Sequence, residues 1–206
     1  THARTLKIAA NEAAILICHR LGISRASLIA FAERTVNAEL AAEIQHDLAA
    51  RARGVPVAYL CGVQEFYGLA LCVSPAVLIP RGDTETLVDW ALELLAGPLA
   101  SCMSPQLADL GTGSGAIALA VKHACPRADV RASDTSSEAL AVARENGRRL
   151  GLHITWLQGS WWQAYDLPAL NLALSNPPYI AAGDPHLLAL RHEPLSALVP
   201  PDGDGL

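Results

Sequence analysis

The sequence lacks the paired cysteines and histidines that mark most metal sites and disulfide frameworks. It has five cysteines, an odd number, and no two of them show CxxC spacing. Its seven histidines form no HExxH-type pair. We therefore expect no metal centre and no disulfide framework. The cysteines are interpreted as small apolar residues of a protein in the reducing cytoplasm.

Long apolar runs and strongly basic stretches are also absent. No run reaches the ~18 residues that span a bilayer, and the first residues show no signal peptide, so we expect no membrane association. The net charge is −5, whereas domains that grip a phosphate backbone usually have a basic face. With 51% apolar and 17% charged residues, the chain can bury a sizeable core. A protein or small-molecule partner is favoured over nucleic acid.

The chain of 206 residues shows three successive patterns. Residues 1–54 carry apolar side chains at helical spacing, with Ser24 and Asn37 placed as helix caps, and predict a small helical domain. Residues 55–80 contain short β-type runs broken by glycine and proline, which predicts a β-hairpin linker. Residues 81–206 alternate between helix and strand patterns and form the third predicted part.

This alternation predicts βαβ units in an α/β domain with a doubly wound, Rossmann-like parallel sheet. A capping box of Thr135 and Glu138 is predicted to open one of its helices. If the strand order is 3-2-1-4, the first strand lies beside the fourth, and a ligand is expected at their carboxyl ends. The predicted strands cover residues 106–111, 128–134, 153–159 and 171–178.

A glycine-rich loop, "DLGTGSGAIALA" (residues 109–120), joins the first strand to the next helix. Glycines allow close approach to a ligand, and the helix N-terminus offers free N–H groups. Asp134 ends the second strand, roughly 20 residues after the loop, where a carboxylate binds ribose hydroxyls. A nucleotide-type ligand is favoured over a tight turn without ligand. The GxGxG form and Asp109 favour S-adenosylmethionine, although the loop also fits the relaxed dinucleotide pattern.

The fourth strand ends in "SNPPYIA" (residues 175–181), which by itself could be only a turn. Beside the glycine loop, it suits a planar, weakly nucleophilic NH₂ group. Asn176 can accept one N–H through its side-chain oxygen, and the carbonyl of Pro177 can accept the other. The prolines stiffen that carbonyl, and Tyr179 can pack its ring on a flat amide or base. These residues are the candidate catalytic and substrate-binding group.

With both motifs in place, the sequence resembles the HemK/PrmC family, the release factor glutamine methyltransferases. The similarity runs through "EAAILICHRLG", "VPVAYLCGVQEFYGLALCVSPAVLIPRGDTETLV", "DLGTGSGAIALA", "SNPPYI" and "RHEPLSAL". It implies a class I methyltransferase fold with a small N-terminal helical substrate-recognition domain. It also implies methyl transfer from S-adenosylmethionine, with S-adenosylhomocysteine as product, to N5 of the glutamine in the Gly-Gly-Gln motif of class 1 peptide release factors.

The resemblance also implies a role for each motif residue. Asp134 would hold the ribose, Trp161 would lie by the adenine, and Asn176 would contact both cofactor and substrate. The methionine part of the cofactor would be wrapped by Gly111, Thr112, Gly113, Ser114 and Gly115. The glutamine amide would be held by Asn176, Pro177, Pro178 and Tyr179.

The chain departs from the family pattern at Gly82, where proline is usual, and at Ser160, where some members have an acidic residue. It also ends before the family's last strands, so we expect an incomplete copy of the enzyme.

Other interpretations remain open for two features: Trp161 with Trp162 as a hydrophobic cover, and residues 80–85 as a helix start with a surface ion pair. The alternative functions are a ribosomal-protein glutamine methyltransferase, an adenine-N6 nucleic-acid methyltransferase and a non-catalytic nucleotide-binding protein.

Overall fold

The computed structural model describes residues 6–31, 33, 35–165 and 169–202. The chain divides into two compact units, Thr1–Gly62 and Val63–Leu206. The second unit contains the sheet and both motifs singled out in the sequence. Within the described residues, no helix combines the length and apolar character needed to cross a membrane.

The first unit is helical. Ser24 accepts a hydrogen bond from the N–H of Ser27, and Asn37 accepts one from the N–H of Leu40, so both predicted caps are confirmed. Leu16 and Leu48 are buried in its small core. The helices are α1 (Ala10–Leu21), α2 (Arg25–Ala30), α3 (Ala38–Ala52) and α4 (Val57–Cys61).

The predicted hairpin is present at the start of the second unit. Its antiparallel strands are β1 (Val63–Phe66) and β2 (Leu69–Cys72). Phe66 and Leu71 are fully buried in the core of the second unit. The hairpin therefore belongs to that unit's core, whereas the residues just before it form helix α4. The sequence pattern did not separate this helix from the hairpin because its single turn is too short to show a helical period.

The described residues of the second unit form a parallel sheet with strand order β5-β4-β3-β6. This is the order 3-2-1-4 that was assumed for a doubly wound sheet, and it places β3 beside β6. The strands are β3 (Gln106–Leu110), β4 (Asp129–Asp134), β5 (Thr155–Gln158) and β6 (Leu172–Ser175). The intervening helices are α5 (Glu85–Ala96), α6 (Ala116–Ala124) and α7 (Ser137–Leu150).

The sheet has the apolar interior expected when helices cover a parallel sheet. Leu107, Ala108 and Leu110 of β3 are buried, and so is the whole α6 segment from Ala116 to Val121. Helix α7 begins differently from the prediction: Ser136, and not Thr135, caps it by accepting the N–H of Ala139. With Ser136 as the cap, the third helical residue is Ala139 and not Glu138, so the predicted capping box of Thr135 and Glu138 is wrong.

Candidate active site

The two sequence motifs leave the sheet side by side. Leu110 at the end of β3 is paired with Ser175 at the end of β6. The Ser175 hydroxyl donates a 2.8 Å hydrogen bond to the Leu110 carbonyl. The glycine loop and the Asn-Pro-Pro-Tyr segment therefore start from one tethered point at the carboxyl edge of the sheet, where α/β proteins bind their ligands.

The glycines of the loop have two different tasks. Gly111 and Gly113 have φ angles of +72° and +55°, and a Cβ atom at either position would meet nothing within 4 Å. The backbone there faces open space that a ligand can occupy. A Cβ atom at Gly115 would instead lie 3.0 Å from the indole of Trp156. Gly115 thus allows α6 to pack closely against neighbouring side chains.

The side chain of Asp109 holds the glycine loop by hydrogen bonds. Its side chain is buried, and its Oδ2 atom accepts hydrogen bonds from the Thr112 hydroxyl at 2.6 Å and from the Ala118 N–H at 3.2 Å. Burial raises the pKa of this carboxyl to about 6. Within the described residues, its Oδ1 atom has no hydrogen-bond partner. Asp109 therefore fixes the loop and the start of α6 and does not line the cavity described next.

A cavity of about 260 Å³ lies within the second unit and brings the predicted residues together. Asp134 lines one part of it and Asn176 another, and Trp161 lies at its wall. Apolar side chains such as Val77 and Ile117 complete the lining. From the motifs, the lining includes Gly111, Thr112, Gly113, Ser114, Asp134, Trp161, Asn176, Pro177 and Pro178. Gly115 and Tyr179 are not part of it.

Asp134 joins the loop to the second strand and still faces the cavity. One of its carboxylate oxygens accepts the Gly113 N–H at 2.9 Å, and the other accepts the Ser136 N–H at 2.9 Å. Each carboxylate oxygen can accept a further hydrogen bond. A ligand that offers hydroxyl donors to Asp134 and a flat aromatic ring to Trp161 fits this lining, and S-adenosylmethionine has both features.

Trp161 has an unusual backbone conformation. Its φ angle is +47°, in the left-handed region that bulky residues seldom adopt, and its side chain is 55% exposed. The segment after it is anchored, because Trp162 and Tyr165 pack edge-to-face and the Tyr165 hydroxyl donates to the Asp109 carbonyl at 3.1 Å. Strain at a cavity wall is typical of residues held in place for a ligand.

A second cavity, of about 330 Å³, adjoins the first. Ser175, Asn176 and Pro177 line both cavities, whereas Tyr179 lines only the second. Asn176 and Pro177 thus form part of the boundary between a compartment that contains the glycine loop and one that contains Tyr179. This arrangement suits a group transfer between two bound molecules.

Several residues that line these cavities had no role predicted from the sequence. Arg81 and Thr84 line both of them. Arg81 forms an ion pair with Glu193, whose side chain is buried, so this pair is not confined to the surface. The helix start considered for residues 80–85 is present, as the 3₁₀ turn Gly82–Thr84 followed by α5. The segment that contains Ser196 and Ala197 also lines the first cavity. The segments "PRGDTE" and "RHEP" are the sequence signals for these residues, but neither has a pattern with an evident chemical role.

Comparisons with known proteins agree with this geometry. Residues 84–192 match the model of the Methyltransferase small domain, and residues 3–62 match that of the PrmC N-terminal domain. The chain is 48% identical over 200 residues to the release factor glutamine methyltransferase of Bordetella pertussis, covering 95% of this chain and 72% of the relative.

The chain belongs to the release factor glutamine methyltransferase family. A member from Xylella fastidiosa is 44% identical over 207 residues, covering 99% of this chain and 74% of the relative. The Escherichia coli member is 42% identical over 195 residues, covering 93% and 69%. The HemK/PrmC resemblance is therefore confirmed. The protein is an enzyme, a methyltransferase whose cofactor is S-adenosylmethionine.

A solved structure supports the fold alone. The hMettl16 catalytic domain in complex with MAT2A 3'UTR hairpin 1 is similar to this chain with a TM-score of 0.53 and 14% sequence identity, over 76% of this chain and 57% of that one. The Rossmann-like parallel sheet predicted from the helix–strand alternation is present, and the methyltransferase fold implied by the resemblance is confirmed.

Proposed function

We propose that this protein transfers the methyl group of S-adenosylmethionine to N5 of the glutamine side chain in the Gly-Gly-Gln motif of class 1 peptide release factors. One observation carries the proposal: two cavities meet at Asn176 and Pro177. The chain that contains them belongs to the release factor glutamine methyltransferase family. One compartment holds the donor and the other admits the acceptor.

The donor compartment is the first cavity. Asp134 accepts ribose hydroxyls, Trp161 lies by the adenine, and Asn176 contacts the cofactor at the boundary. The residues from Gly111 through Thr112, Gly113 and Ser114 to Gly115 form the loop around the methionine part, in which Gly115 supplies the packing of α6. When bound, S-adenosylmethionine supplies an electrophilic methyl group.

The acceptor compartment holds the glutamine amide. The Oδ1 atom of Asn176 accepts one N–H of the substrate amide, and the Pro177 carbonyl accepts the other. These contacts orient a nitrogen whose lone pair is delocalised, and orientation lowers the barrier of a transfer between two bound molecules. Pro178 stiffens the segment, and the ring of Tyr179, 59% exposed, covers the flat amide. The new N–C bond would form as the S–CH₃ bond breaks, which leaves S-adenosylhomocysteine, and the amide proton would then pass to water.

The protein partner and the location follow from this reaction. Class 1 release factors are the substrates, in the cytoplasm, and no direct nucleic-acid binding or membrane association is proposed. The five cysteines are all free in the described residues, in keeping with a reducing compartment. The net charge of −5 favours a protein substrate over the adenine-N6 alternative.

Peptide mass spectrometry tests the proposal at the level of the modified atom. A purified class 1 release factor and purified ribosomal proteins are each incubated with the enzyme and S-adenosylmethionine, digested and sequenced by fragmentation. The methyl group is expected on the glutamine of Gly-Gly-Gln. A methyl group on a ribosomal-protein glutamine instead, with the release factor unmodified, would contradict the proposed substrate and support the ribosomal-protein alternative.

A further inference from the structure

Thr84 is the last residue of the 3₁₀ turn Gly82–Thr84, which leads directly into α5. Its backbone is helical, with φ −69° and ψ −18°, and its side chain makes no capping hydrogen bond to α5. The Oγ1 atom instead accepts a 3.4 Å hydrogen bond from Nδ2 of Asn176. The hydroxyl therefore contacts a residue that lines both cavities.

This contact determines which end of the Asn176 side chain faces the substrate. An asparagine amide has a donor end and an acceptor end, and a free side chain can present either. When Nδ2 is held by Thr84, Oδ1 is directed away from Thr84. We propose that Thr84 is a positioning residue that fixes the Asn176 amide with its acceptor oxygen toward the glutamine N–H. This inference rests on the proposed function and adds a residue to it.

The segment that carries Thr84 is held firmly enough for this task. Glu193, which is 8% exposed, accepts hydrogen bonds from the Ile79 N–H at 3.0 Å and from the Arg81 guanidinium at 2.5 Å. The Thr84 N–H donates to the Arg81 carbonyl at 3.1 Å, and Glu85 accepts the Tyr67 N–H at 2.9 Å. The backbone on both sides of Thr84 is therefore tied to the rest of the second unit.

The test compares Thr84→Val with Thr84→Ser. Valine keeps the shape of threonine but has no acceptor, whereas serine keeps the hydroxyl. Thr84→Val is expected to lower kcat for release factor methylation roughly tenfold, the factor that corresponds to one lost orienting hydrogen bond. The dissociation constant of S-adenosylmethionine and the melting temperature should stay as in the wild type, because the side chain caps no helix. Thr84→Ser should retain kcat within about twofold of the wild type. Thr155→Val, on the exposed β5 residue, is the matched control and should change none of these quantities.

A second measurement does not depend on turnover. In ¹⁵N-labelled protein, the side-chain NH₂ resonance of Asn176 should shift in Thr84→Val and stay near its wild-type position in Thr84→Ser. The inference is overturned if Thr84→Val matches the wild type in kcat, or if it loses cofactor affinity and stability in parallel with kcat. If the wild-type enzyme leaves the release factor unmethylated, the proposed function fails. The Asn176 resonance then still tests the Thr84–Asn176 contact: a shift in Thr84→Val supports the contact, and an unchanged position overturns it.

Discussion

The backbone N–H of Gly113 donates a 2.9 Å hydrogen bond to the carboxylate of Asp134. This contact joins the glycine loop after β3 to the last residue of β4. It also means that the carboxylate proposed to hold the ribose shapes the loop proposed to wrap the methionine part. Binding of both ends of the cofactor is therefore expected to depend on one side chain.

Asp134→Ala is expected to raise the dissociation constant of S-adenosylmethionine roughly 10- to 100-fold, because hydrogen bonds to a charged group are lost on both the ligand and the loop. Isothermal titration calorimetry measures this directly. Asp129→Ala, at the other end of the same strand, is the control and should bind the cofactor as the wild type does. Equal affinities of Asp134→Ala and wild type would rule out the ribose role.

Asn176→Ala is expected to abolish methyl transfer while largely sparing cofactor binding, because Asn176 lies where the cofactor cavity meets the second cavity. Transfer of labelled methyl and cofactor titration are measured on the same preparation. Asn11→Ala, at an exposed position of α1, is the matched control. If cofactor affinity falls as far as transfer, Asn176 is first a cofactor ligand and the proposed division of roles is wrong.

The raised pKa of the Asp109 carboxyl predicts how the stability of the fold depends on pH. Burial raises its pKa to about 6 from 3.8, so between these values the folded protein binds a proton that the unfolded chain does not. The stabilisation from that proton is fully present below the unfolded pKa and is lost as the pH rises through about 6. The free energy of unfolding of the wild type relative to Asp109→Asn should therefore rise by about 2 kcal/mol between about pH 7 and about pH 4.

Urea denaturation at several pH values checks this expectation. Using the difference between wild type and Asp109→Asn removes the contribution of the other carboxylates. A difference that is constant with pH, or that falls as the pH is lowered, would show that the Asp109 carboxyl stays ionised in the fold.

Asn146 links the hairpin to the glycine loop. Its buried amide accepts the Cys72 N–H at 2.6 Å and donates to the carbonyls of Cys72 at 3.0 Å and Ser114 at 2.9 Å. Asn146→Ala is expected to lower the free energy of unfolding by about 3 kcal/mol, because backbone groups around the removed amide lose their partners. Urea denaturation measures it, with Asn11→Ala as the exposed control. A loss no larger than that of the control would mean that water replaces the amide.

The elements that carry a local pattern could be predicted from the sequence. Helix–strand alternation predicted the parallel sheet, whereas its strand order was assumed from doubly wound folds. The caps at Ser24 and Asn37 followed from hydroxyl and amide side chains before apolar periodicity. The pairing of Arg81 with Glu193 and of Thr84 with Asn176 could not be predicted. These contacts join segments far apart in the chain, and neither segment has a local preference that reveals its partner.

The most direct test of the account is the transfer of a labelled methyl group from S-adenosylmethionine to a class 1 release factor, beside the same factor with the motif changed from Gly-Gly-Gln to Gly-Gly-Ala. The account predicts label on the first protein and none on the second, with transfer lost in Asn176→Ala. Equal label on both factors, or no label on either while the cofactor binds, would contradict it.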